Sequence, residues 1–117
     1  LSIRRQRQMC IRDRLDATIT EQDTALDGAD LRAYAQLDAR FHQIIMDGGA
    51  NSLLAGLGHQ LRERQQRFTA TAIGRNVARA RTFVDQHRTL ADALRTGDLD
   101  AYLSALDTHL TNSRNQL

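Results

Sequence analysis

The chain has 117 residues, 41% of them hydrophobic, with no proline and a single cysteine, Cys10; that suits one domain of packed helices and excludes both an intrachain disulfide and a cysteine-rich zinc site. The formal net charge of +2 suggests an acidic partner, but the excess is local: residues 1–14 hold five arginines against one aspartate, and the other residues hold eleven arginines against thirteen acids. No stretch approaches the roughly 20 apolar residues that a membrane-spanning helix needs, and no charged segment followed by an apolar core opens the chain, so a soluble, cytoplasmic protein is expected.

The opening string LSIRRQRQMCIRDR has no clean helical or strand period and reads like translated sequencing-adapter DNA. It is expected to be a non-native or disordered basic segment, with the domain proper at 15–117; a genuine basic arm for nucleic acid is the rival reading. Leu15, Ile19 and Leu26 then predict a first helix, closed by Asp27-Gly28. Asp30 is the expected N-cap of a second, ending near Asp47 at Gly48-Gly49. Asn51 or Ser52 caps a third, in which Leu54, Leu57, Leu61 and Phe68 recur at helical spacing before it fades near Gly74, and Arg64 shares that stripe. A fourth helix spans about Asn76 to Arg95 and stops at Gly97; Asp98 caps a fifth reaching about Ser113. The fold class is therefore all-α, an antiparallel bundle of five to six helices.

Four polar residues fall on the apolar stripes of these helices. Asp38 and His42 lie one turn apart between Tyr34, Phe41 and Ile45; His87 sits among Phe83, Val84, Leu90 and Leu94; His109 sits beside Tyr102, Leu106 and Leu110. A single histidine on an apolar face is most often a hydrogen-bonded core residue. Three with an aspartate would cost several kcal/mol to bury unpartnered, whereas one divalent cation satisfies them all. Three nitrogens and a carboxylate oxygen suit zinc first, with nickel, manganese or iron as alternatives, and leave coordination positions open for a ligand. His59, off the Leu54/Leu57/Leu61 stripe, is expected on the surface.

The motif D-x-x-F-H at 38–42, then Asn51, the run QHRTLADALRTGDLDAY at 86–102 and His109 together resemble the FCD domain, the effector-sensing C-terminal domain of FadR-type regulators in the GntR family. The resemblance covers 15–117, and the intervals of 4, 45 and 22 residues between the four polar positions agree with its metal-binding members. It implies an antiparallel helical bundle, a metal held by Asp38, His42, His87 and His109, and a small organic acid whose carboxylate completes the coordination shell. It also implies a homodimeric parent that binds DNA through an N-terminal winged helix-turn-helix, an element that, with about the first helix of the domain, is expected to be missing from this stretch. Arg64 is the candidate anion anchor for the effector, and Asn112, one turn beyond His109, a candidate hydrogen-bonding partner.

The rival class is a metal-dependent helical-bundle enzyme, but the chain's two glutamates, Glu21 and Glu63, lack the Glu-x-x-His context of di-iron bundles. A metal-free helical interaction module is the third reading. It leaves four polar residues in apolar stripes to be explained separately.

Overall fold

The computed structural model describes residues 3–48 and 52–115. Among them the chain forms six α-helices and no strand: α1 (Ile3–Asp27), α2 (Leu31–Gly48), α3 (Ser52–Gln60), α4 (Arg62–Ile73), α5 (Val77–Thr96) and α6 (Leu99–Asn115). No described helix is long and apolar enough to cross a membrane.

Side-chain caps start three of these helices where the sequence indicates. Asp30 Oδ1 accepts from Ala33 N at 3.0 Å, Asn76 Oδ1 from Arg79 N at 3.2 Å and Asp98 Oδ1 from Ala101 N at 3.0 Å. Gly97 ends α5 in the left-handed region at φ 72°, with the amides of Gly97 and Asp98 returning to Leu94 O and Ala93 O. The close of α1 differs in one respect. Ala29, not Gly28, takes the positive φ, 53°, while Ala29 N and Asp30 N bond back to Leu26 O and Ala25 O.

Two boundaries depart from expectation. α1 begins at Ile3 rather than Leu15; no proline or glycine interrupts 3–27, and Ile11, one turn before Leu15, continues the stripe and packs against the core. The expected third helix is divided at Leu61, whose φ and ψ of −97° and 6° interrupt the helical run between α3 and α4. The proposed Asn51 cap and the Gly49 stop lie outside the described residues.

Short turns fold α2 back along α1 and α6 back along α5. Across α1 and α5, Asp27 meets Arg81 while Asp23 meets Arg88, so these helices are also antiparallel. The core gathers Leu15, Ile19 and Leu26 of α1, Tyr34, Phe41 and Ile44 of α2, Ala72 and Ile73 of α4, and Phe83, Val84 and Leu90 of α5. α3 approaches α2 at Gly58, where a Cβ would lie 2.7 Å from both Gln43 Oε1 and Met46 Cε.

The α3–α4 stripe chosen from spacing is not the buried one. Leu54, Leu57, Leu61 and Phe68 are exposed, whereas α4 turns Thr69, Ala72 and Ile73 inward. Helical spacing of apolar residues marks a face without saying which of two faces meets the core, and here the inward face carries a hydroxyl with a specific partner.

Candidate metal centre

Asp38 and His42, one turn apart on α2, meet His87 from α5 and His109 from α6, so three helices converge on one point. One ligand atom from each of the four residues lies within 4.8 Å of the others. Asp38 Oδ1 is 3.4 Å from His42 Nε2 and 3.1 Å from His87 Nε2, and His42 Nε2 is 3.2 Å from His109 Nε2. Asp38, His87 and His109 are buried, and His42 is partly open to solvent. Local packing fixes the rings: Phe41 stacks on His87 with centroids 4.3 Å apart, and Phe83 stands edge-on to His109.

Three further residues surround the cluster. Thr69 Oγ1 donates to Asp38 Oδ2 at 2.8 Å. Gln22 Oε1 lies 2.7 Å from His87 Nδ1, and Gln86 Oε1 lies 2.6 Å from His109 Nδ1. None was identified from sequence, although Gln22 carried a signal: it occupies the stripe of Leu15, Ile19 and Leu26, the same anomaly that marked the histidines.

Burial pushes the His109 imidazole down to about 3, with His87 and His42 adding to the effect and Asp38 opposing it. Burial also lowers His87, against the pull of Asp38. Burial alone would raise Asp38, but His42 and His87 outweigh it and hold the carboxyl well below the usual carboxylate range. A carboxylate facing neutral His87 and His109 rings suits a metal ion, which binds deprotonated ligands.

The residues fit an ion on two further grounds. His87 Nε2 is fully buried and makes no hydrogen bond, although Asp38 Oδ1 is near enough for an ion pair. Three of the separations, 3.1, 3.2 and 3.4 Å, lie close to the edge of about 3.3 Å that zinc–nitrogen bond lengths give around a tetrahedral ion, and the others are bounded at 4.8 Å.

A cavity of about 240 Å³ opens beside Asp38, His42 and His109, with Gln65, Thr69 and Ser113 as its other polar residues and Phe68, Phe83 and Leu110 among its apolar ones. Arg64 does not line it. That residue is exposed and lines an adjoining groove with Met46, Leu57 and Leu61, which shares Gln65 and Phe68 with the cavity, because Arg64 follows the stripe that faces outward. Asn112 is half-buried and is not among the cavity residues; its neighbour Ser113 is. His59 lies on the surface as expected, 3.1 Å from Asp47 Oδ1 and far from the cluster's chemistry.

Residues 3–112 match the family model of the FCD domain. No curated protein and no solved structure matched the chain.

Proposed function

The chain belongs to the FCD domain family, the ligand-binding regulatory domains of GntR-family regulators, and we propose that it senses a small organic acid through a divalent metal held by Asp38, His42, His87 and His109. Four buried or partly buried donors within 4.8 Å of one another carry this reading. Zinc suits three nitrogens and one oxygen best, with nickel, manganese or iron as alternatives. The metal supplies a positively charged coordination position for a carboxylate. The chain's own residues supply the rest: Gln65, Thr69 and Ser113 offer hydrogen bonds, and Phe68, Phe83 and Leu110 offer apolar contact to the remainder of the ligand. Arg64 and Asn112 remain candidate effector contacts only if ligand binding brings them to the cavity.

In a cytoplasmic parent regulator, acting as a homodimer, the occupied site would bias helix packing and so the DNA affinity of an attached winged helix-turn-helix domain. Asp38 is the sole carboxylate among the described cavity residues, and in this reading it is taken up by the metal, which favours binding over hydrolysis.

Elemental analysis and thermal melting test this together. The purified chain is expected to hold one equivalent of metal, and a small carboxylate at 100 times its Kd should stabilise it by about 2.7 kcal/mol. The same acid should have little effect once the metal is stripped. Full metal retention by the double variant His42→Ala, His87→Ala overturns the ligand set; equal stabilisation of stripped and loaded protein places the effector elsewhere.

A further inference from the structure

His87 and His109 share an arrangement that the four-residue cluster does not explain. Each turns Nε2 toward the cluster and places Nδ1 within 2.7 Å or less of a glutamine amide oxygen, Gln22 Oε1 on α1 for His87 and Gln86 Oε1 on α5 for His109. An amide oxygen only accepts, so with Oε1 turned to the ring Nδ1 carries the proton. In a neutral imidazole the other nitrogen then has a free lone pair. At His87 that lone pair faces Asp38 Oδ1 at 3.1 Å, and at His109 it faces His42 Nε2 at 3.2 Å. At His87 two acceptors meet at this distance and repel unless a cation lies between them, whereas His42 Nε2–H can donate to His109 Nε2.

Gln22 is costly where it stands. It is fully buried on the apolar stripe of α1 between Ile19 and Leu26, and its Nε2 makes no hydrogen bond. A leucine there would complete the stripe, so the oxygen's bond to His87 is the term that offsets the unmet amide.

We infer that Gln22 and Gln86 are positioning residues: their carbonyl oxygens accept the Nδ1 protons of His87 and His109 and fix both rings in the tautomer that presents a bare Nε2 to the ion. Gln22 thereby joins α1 to a site whose ligands come from α2, α5 and α6. The inference rests on the metal reading above.

Two measurements on the full chain test the inference. In the zinc-loaded protein, nitrogen-15 NMR of the imidazoles should show His87 and His109 protonated at Nδ1 and coordinated through Nε2, and Gln22→Leu should speed exchange of the Nδ1 proton at His87 alone. Protonation at Nε2 of either ring in the loaded parent chain overturns the proposal. Cobalt titration, read by visible absorption, should show affinity reduced about 10- to 100-fold in Gln22→Leu and in Gln86→Leu. Gln22→Glu, which still accepts the proton, should bind within a few-fold of the parent. Circular dichroism confirms that each variant is folded, and Gln22→Leu is expected to melt no lower than the stripped parent because it completes an apolar stripe. Unchanged affinity in both leucine variants overturns the positioning role and leaves the metal reading standing, as does collapse of binding in Gln22→Glu, which would make the amide nitrogen the working group. A parent chain that binds no cobalt or zinc overturns the metal reading and with it the role toward an ion.

Discussion

His109 and His59 show how differently two histidines of one chain are placed. His109 is buried against Phe83 with both ring nitrogens facing polar atoms, whereas His59 reaches only Asp47 in an exposed pair, an interaction worth at most about 1 kcal/mol. His109→Ala or His87→Ala should therefore lower metal affinity at least about tenfold, while His59→Ala leaves it unchanged; metal loss in the His59 variant, measured by equilibrium dialysis, would contradict the assignment. Acid should act in the same direction as ligand removal. His109 and His87 have lowered pKa values in the folded chain against an ordinary value of 6.5, so the unfolded chain takes up protons first as pH falls. Their contribution to stability is full above about 6.5 and is lost toward the folded value, about 3 for His109. Asp38, also lowered, stabilises above its ordinary 3.8 and loses that contribution as pH falls through its folded value. The urea midpoint of the stripped chain should thus decline from pH 7.5 to pH 4.5, and a midpoint that rose would mean these rings are protonated in the folded state. Polarity on an apolar stripe made the four cluster residues legible in the sequence. Thr69 and Gln86 were not, because a threonine on a mixed face and a glutamine beside a histidine break no pattern.

Three helix starts were legible because a cap is a local contract between a side chain and an amide three residues on, as at Asp30, Asn76 and Asp98, whereas the starts of α1 and α4 were not. Helix ends depended on more. α1 closes through Ala29 at φ 53°, a conformation glycine adopts freely and alanine does not, although Gly28 stands one position earlier. Left-handed backbone costs alanine about 1–2 kcal/mol, and placing a second glycine in the unfolded chain returns about 0.4–1 kcal/mol of that. Ala29→Gly should therefore stabilise the protein by up to about 1.6 kcal/mol, seen as a higher urea midpoint with an unchanged slope; destabilisation would show that the α1–α2 turn does not hold this conformation. The choice of buried face on α3 and α4 was illegible for a different reason. Leu54, Leu57, Leu61 and Phe68 form the better apolar stripe, yet Thr69 faces the core because Asp38 Oδ2 needs its hydroxyl. Arg64 follows the exposed stripe outward, and only tertiary placement decides that.

Across the whole molecule the all-α bundle was legible from composition and punctuation, and the charge pattern assigns its parts different tasks. Residues 1–14 carry five of the sixteen basic side chains, all arginine, and the remainder is mildly acidic. A sensor domain of that charge has no electrostatic reason to hold DNA, so any binding by this chain should come from the arginine-rich opening. Such binding would rest on phosphate contacts, each contributing about −0.9 to the slope of log affinity against log salt, and would ignore base sequence. Ile11 packs against the core, so the informative deletion stops short of it. Removing residues 1–10 takes away Arg4, Arg5 and Arg7 and leaves thirteen arginines against fourteen acids. That deletion should abolish DNA binding in a fluorescence-polarisation titration at low salt while leaving metal affinity intact, because the ligands and their supporting glutamines all lie downstream. Sequence-selective, salt-resistant binding by the shortened chain would place a DNA-reading surface on the bundle itself and contradict its assignment as a sensor, and loss of metal on the same deletion would show that the first turns of α1 help to hold Gln22 against His87.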